Sequence, residues 1–133
     1  MDLGIKEKVA LVCASAGGLG LATARRLAME GCHVAICDKD DSRLPGALWD
    51  VKKAGSAIKA AAYPVDLTQA EAIEKLVESV KNDLGPVDIL INNSGGPPPG
   101  TFEDATDEKW LFAYQLTFLS AARMIRCVLP GMK

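Results

Sequence analysis

An α/β fold built on a parallel sheet is what this sequence predicts, and three observations predict it. Strand-like and helix-like patterns alternate from one end of the 133 residues to the other. The strand-like runs are short and almost wholly apolar, as in a sheet covered on both faces. Glycine, or Gly-Pro, closes the helical segments that join them. Helical crossovers between parallel strands are right-handed, so one sheet accounts for the chain. Residues 1–133 are accordingly expected to belong to a single domain, with no internal repeat, linker or low-complexity segment.

The elements follow in order. Lys8 to Cys13 (KVALVC) is a buried strand, polar only at its start. A glycine-rich turn leads into an alanine-rich helix from about Gly18 to Glu30, which Gly31 ends. His33 to Cys37 is the second strand. Ser42 to Ala54 is a helix with Pro45 in its first turn and Gly55 at its close. Ala57 to Ala62 is a weaker third strand. Thr68 opens the next helix, with Glu71 placed to complete a capping box. Ile73, Leu76, Val77, Val80 and Leu84 form its apolar stripe. Gly85-Pro86 breaks that helix, and Val87 to Ile91 is the fourth strand. Asn92 to Gly100 is a loop whose prolines, Pro97 to Pro99, make a stiff lip. A last helix runs from about Thr106 toward Leu129, and Pro130-Gly131 is expected to end it.

Composition narrows the function classes. The formal net charge is -2, which offers no basic surface for a nucleic-acid backbone. Charge or glycine interrupts every apolar stretch before it reaches spanning length, so no membrane segment is expected. Without a cleavable signal pattern at the N-terminus, the chain is expected to be cytoplasmic. The four cysteines, Cys13, Cys32, Cys37 and Cys127, lack paired metal-ligand spacing, and no metal site is expected. They are expected to be small buried residues in a reducing compartment. His33 has no second histidine to act with and is not expected to be catalytic.

The turn after the first strand reads Cys13-Ala14-Ser15-Ala16-Gly17-Gly18-Leu19-Gly20. A diphosphate approaches backbone amides closely only where side chains are absent. The helix that follows presents free N–H groups and the positive end of its dipole. Gly20 also lets that helix lie close to the sheet. Asp38, at the end of the second strand, stands where a Rossmann-type sheet places the carboxylate that accepts both adenosine-ribose hydroxyls. A carboxylate there repels a 2′-phosphate and favours NAD, while Lys39 beside it leaves NADP admissible. The expected architecture is therefore a Rossmann-type doubly wound parallel sheet, truncated after the fourth strand and the helix that follows.

These residues resemble the short-chain dehydrogenase/reductase family, and in particular members similar to 3-oxoacyl-acyl-carrier-protein reductases. The family's TGxxxGxG signature is matched at Gly18 and Gly20, with Cys13 and Ala14 in place of its Thr and first Gly. Ala14 is expected to confine the turn to ordinary backbone angles and to crowd the adenosine side. Asp66-Leu67 corresponds to the family's adenine-capping acidic position. Asn92-Asn93-Ser94-Gly95 corresponds to its NNAG motif, which steadies the sheet and lines the cofactor ribose. The resemblance spans essentially the whole chain. It implies cofactor contacts at Ala14, Gly17, Gly18, Leu19, Gly20, Asp38, Asp66, Leu67, Asn92 and Gly95.

The same resemblance implies hydride transfer between a nicotinamide dinucleotide and a small carbonyl or alcohol. Thr117 holds the position of the family's catalytic Asn. The family's Ser and Tyr-x-x-x-Lys pair are absent: Leu67 and Phe118 stand four residues after Tyr63 and Tyr114. The 133 residues are thus expected to be the N-terminal part of an NAD(P)-binding domain, inactive alone. A non-catalytic nucleotide-binding module, or an interaction protein docking through its last helix, is the alternative. That helix is apolar over most of its circumference: Leu111, Phe118 and Ile125 on one side, Trp110, Thr117, Ala121, Met124 and Val128 on the next, then Phe112, Leu116 and Leu119. Burial against further chain or against a second subunit would satisfy it. The resemblance favours a homo-oligomer, with Arg123 and Arg126 as a polar rim.

Overall fold

A computed structural model describes residues Met1–Lys133. The strands are β1 (Val9–Val12), β2 (His33–Asp38), β3 (Ala60–Pro64) and β4 (Ile89–Ile91). The helices are α1 (Gly18–Met29), α2 (Leu44–Ala54), α3 (Ala70–Asp83), α4 (Asp107–Tyr114) and α5 (Ser120–Met132). All strand pairs are parallel, in the order β3-β2-β1-β4. The chain winds outward from β1 to β3, then crosses over to β4 on β1's other side. That reversal opens a crevice between the ends of β1 and β4, where doubly wound sheets bind ligands.

Alternation along β1 and β2 sorts the core into two layers. Val9, Leu11, Cys13, Ala35 and Cys37 face α3 and α5, packing with Ile73, Leu76, Val80, Met124 and Val128. Ala10, Val12, Val34 and Ile36 face α1 and α2, against Ala24, Ala28, Ala47 and Val51. Alanines on α1 permit its close approach; the bulk comes from the strands. The sheet therefore has helices on both faces, as the apolar strand runs predict.

Several expected details are corrected. The third strand runs Ala60–Pro64 instead of Ala57 to Ala62, because Ala57 sits at φ 58 in a turn and pairing with β2 starts at Val34 opposite Ala60. Pro64 is tolerated because β3 is an edge strand. The Thr68–Glu71 capping box does not form. The Thr68 amide and hydroxyl both donate to the Asp66 carboxylate, at 2.9 and 2.6 Å, and α3 begins beyond Gln69. The last helix is not uniform: a π-helical turn over Gln115–Leu119 separates α4 from α5. Pro130 and Gly131 lie inside α5, since a proline in the final turn removes only one helical bond. The fourth strand is shorter than expected and pairs with β1 alone, leaving its far edge open. Thr106 does cap α4, its hydroxyl accepting from the Lys109 amide at 3.4 Å. His33 is structural: its Nδ1 accepts from the Lys59 amide at 2.9 Å.

Candidate dinucleotide site

The turn between β1 and α1 is built by buried hydrogen bonds. The fully buried Ser15 donates its hydroxyl to the Val12 carbonyl at 2.7 Å and accepts from the Cys37 amide at 3.2 Å. Ser15 thus fastens the turn to both central strands, a role that nothing in the sequence pattern signals. Gly17 precedes α1 in an extended conformation, with no side-chain cap on the helix. The Leu21 amide is the first to bond along the helix, to the Gly17 carbonyl at 3.1 Å. The amides of Gly18, Leu19 and Gly20 therefore remain free of intrahelical partners, in the arrangement that receives an anion.

Two glycines are required for different reasons. Gly18 has φ 55, and a Cβ built on it would point into open space. Gly20 is buried under the turn itself. A Cβ there would lie 2.8 Å from the Ser15 Cα and closer still to the Ala14 carbonyl oxygen. The close packing expected of Gly20 is thus against the turn's own backbone. Ala14 corrects another expectation. Its φ is 45, so alanine does not confine the turn to ordinary angles. The carbonyls on either side of that residue are held by Asn93, whose amide donates to the Ala14 and Cys13 oxygens at 3.1 and 3.3 Å. This fixed geometry offsets the cost of a left-handed alanine, about 1–3 kcal/mol.

A cavity of about 600 Å³ opens beside the turn. It brings together Ala14, Gly17, Gly18, Leu19, Asp38, Asp66, Leu67 and Gly95 from the expected contacts, and adds Lys39, Arg43, Asn93, Ser94 and Phe112. Gly20 lies beneath it and Asn92 outside it. Asn92 is exposed and lines a smaller neighbouring cavity of about 260 Å³ instead. Adjacent residues leaving a strand face opposite ways, so only one of the two asparagines can reach back to the turn. Asn93 is that residue: strand parity separates the two, and the pairing of β4 with β1 decides between them.

The charged groups are arranged around the cavity's outer side. The Asp38 carboxylate accepts from the Ala16 amide through one oxygen and from the Asp40 amide through the other, both at 3.0 Å. These bonds fix its orientation and leave acceptor capacity on each oxygen. Lys39 turns toward Asp66, with Nζ 4.0 Å from the carboxylate. The Arg43 guanidinium lies over Gly17, its central carbon 3.0 Å from where a Cβ would stand. No sequence pattern marks Arg43 for this place, because only the helical turn at Asp41–Arg43 folds it back.

Asp66 is held below the usual carboxylate range by the Thr68 hydroxyl, then by the Thr68 amide, against partial desolvation and with help from Lys39. Its folded pKa is depressed, so its stabilising contribution is full above the ordinary value of about 3.9 and is lost as pH falls through the lowered one. NMR titration is expected to place the Asp66 midpoint below that ordinary value, and Thr68→Val to move it back up. A midpoint at or above the ordinary value would refute this account of the turn.

Thr117 lies in the π-helical turn, and π turns recur at functional sites. Its hydroxyl donates to the Ala113 carbonyl at 2.6 Å, and Ser120 bonds back to Leu116 in the same way. Thr117 lines the smaller cavity with Asn92, Asn93 and Ser94, alongside the Cys13 end of β1.

Comparison with known proteins agrees with this geometry. The short chain dehydrogenase family model matches residues 8–133. The chain belongs to that family. Among its short chain dehydrogenase relatives, a putative ketoacyl reductase of Streptomyces coelicolor is 35% identical over 125 residues, covering 94% of this chain and 47% of the relative. A D-beta-hydroxybutyrate dehydrogenase of Cupriavidus necator is 32% identical over 129 residues, covering 97% of this chain and 49% of the relative. The chain thus spans about half the length of the curated relatives it matches. L-sorbose reductase from Gluconobacter frateurii, solved with NADPH and L-sorbose, superposes with a TM-score of 0.92 at 37% identity, over 99% of this chain and 50% of that one. An NAD+-bound xylitol dehydrogenase superposes at 0.88 with 31% identity, over 96% of this chain and 49% of that one. Both cofactor types occur among the structural neighbours. No helix here is long and apolar enough to cross a membrane.

Proposed function

We propose that this chain is the N-terminal, dinucleotide-binding part of an NAD(P)-dependent oxidoreductase that interconverts a small carbonyl and an alcohol. The observation that carries the reading is the uncapped α1 N-terminus opening, through a left-handed glycine, on the same cavity as Asp38. The free amides of Gly18 to Gly20 suit a diphosphate, and the oriented Asp38 carboxylate suits vicinal ribose hydroxyls. Asp66 and Leu67 wall the adenine side; Asn93, Ser94 and Gly95 line the way toward the nicotinamide. When bound, the nicotinamide supplies the hydride chemistry. Thr117, beside the smaller cavity, is our candidate for the residue that steadies a water there, through the acceptor capacity its hydroxyl keeps while donating to Ala113. The family's catalytic Ser and Tyr-x-x-x-Lys pair, which fall outside these 133 residues, are needed for proton transfer, so the chain alone is read as inactive. A homo-oligomer in the cytoplasm is part of the same proposal.

NAD is the favoured cofactor, because Asp38 meets a 2′-phosphate with like charge. Lys39 is drawn off toward Asp66 and leaves Arg43 as the cation nearest the turn. Titration of the protein with NAD and NADP is expected to show tighter binding of NAD, and Asp38→Ala to narrow the difference. Tighter binding of NADP by the unmutated protein would overturn the preference. Binding of neither would overturn the site.

A further inference from the structure

Two cysteines sit side by side under the phosphate turn. Val12 of β1 pairs with Ile36 of β2, so the next residues, Cys13 and Cys37, stand opposite one another. Both side chains enter the core layer that faces α3 and α5. Neighbouring strands lie about 4.7–4.9 Å apart, within the Cα separation of about 4.4–6.8 Å that a disulfide spans. The Cys37 Sγ donates to the carbonyl of Val12, the residue before Cys13, at 3.7 Å. Although Cys13 is almost fully buried, it lines the smaller cavity beside Asn93 and Thr117, which gives a small oxidant a route to it. The other cysteines are placed differently. The Cys32 Sγ donates to the Ile5 carbonyl at 3.2 Å and packs in the opposite core layer; Cys127 lies on α5.

We propose that Cys13 and Cys37 form a reversible disulfide, which makes the floor of the phosphate turn a site of oxidative modification by hydroperoxides. Their environments divide the labour. The neighbouring Cys37 thiol holds Cys13 below its usual range against desolvation, aided by the Asn93 backbone amide; the same proximity, with burial, pushes Cys37 up. Cys13 is the attacking sulfur, because it lines the smaller cavity while Cys37 lines neither cavity. Its thiol gives up a proton, the thiolate attacks one peroxide oxygen, the O–O bond breaks, and the departing hydroxide takes up that proton to become water. Cys13 is left as a sulfenic acid. The Cys37 sulfur then attacks the Cys13 sulfur, the S–O bond breaks, and hydroxide leaves with the Cys37 proton as a second water. Two thiols lose two electrons, and one peroxide gains them.

The bond would alter nucleotide binding, a consequence that rests on the proposed cofactor site. Cys13 immediately precedes Ala14, and Cys37 immediately precedes Asp38, whose carboxylate holds the Ala16 amide. Drawing the two sulfurs together displaces both sides of the cavity and weakens NAD binding.

The experiment treats the protein with hydrogen peroxide, quenches it, alkylates the remaining thiols after denaturation and maps the peptides. The intact mass is expected to fall by two hydrogens. Cys13 and Cys37 should be linked, Cys32 and Cys127 alkylated, and dithiothreitol should reverse the change. In Cys37→Ser, a dimedone adduct is expected on Cys13. Full alkylation of Cys13 and Cys37 after treatment, or a link involving Cys32 or Cys127, would overturn the proposal. NAD affinity is measured on the reduced and oxidised samples alongside. A Cys13–Cys37 link in protein that binds no NAD even when reduced would support the modification site and refute the cofactor reading instead.

Discussion

NAD binding is expected to be abolished in Gly18→Val while the sheet stays largely formed. A Cβ at Gly18 meets nothing within 4 Å and points into the space beside the free amides of α1. The valine side chain therefore meets the incoming diphosphate before it meets any protein atom. The substitution also places a β-branched residue at φ 55, which costs about 1–3 kcal/mol of strain. Gly20→Ala should behave differently. Its Cβ collides with the backbone of Ala14 and Ser15, which no rotamer change relieves. Overpacking of this kind costs about 1–3 kcal/mol in the absence of any ligand. Calorimetric titration with NAD, beside circular dichroism on each variant, separates the two. Gly18→Val should lose binding with near-normal ellipticity, and Gly20→Ala should unfold at lower temperature. Unchanged NAD affinity in Gly18→Val would mean that this turn is not the phosphate site.

Exchanging Leu111 and Phe118 for aspartate is expected to turn an oligomer into a monomer. The inner face of α5 is settled: Ser120, Met124 and Val128 are buried against α3 and the sheet. The outer face, from α4 through the π-helical turn into α5, is not. Leu111 and Phe118 are 62% and 63% exposed, and Trp110, Ile125 and Leu129 are exposed as well. Tyr114 stacks on Phe118 with ring centroids 5.4 Å apart, adding aromatic area to that surface. Each such side chain gains about 1.5–3 kcal/mol on burial, so two buried charges outweigh most pairwise contacts. Leu111 and Phe118 line neither the larger cavity nor the smaller one, so NAD binding reports whether the variant still folds. Light scattering decides the matter. An unmutated protein that is already monomeric, or a variant that remains assembled, would remove this face from the interface. Arg123, expected on its rim, also bonds inside the chain, to the Thr68 carbonyl at 3.2 Å.

The architecture was legible in the sequence because burial on both faces leaves a strong pattern. Apolar runs at β1 and β2, an alanine-rich α1 and the stripe of α3 each have one physical reading, and alternation orders them into a parallel sheet. The glycine turn and Asp38 were legible for a related reason: backbone access to a diphosphate and a carboxylate at a strand end each demand particular residues at particular places. What stayed hidden depends on contacts between residues far apart in the chain. Asn93 rather than Asn92 holds the turn, because the pairing of β4 with β1 selects it. Ala14 takes a left-handed angle because Asn93 and Ser15 hold the backbone around it, against the local preference of alanine. Thr68 serves Asp66 instead of capping α3, because two short bonds to a carboxylate outcompete one weak cap. Arg43 over Gly17 and the Cys13–Cys37 pair exist only through the register of β1 on β2 and the fold-back after it. Sequence periodicity records which residues are buried; only the tertiary structure decides which of them meet, because those meetings are set by register and crossover rather than by distance along the chain.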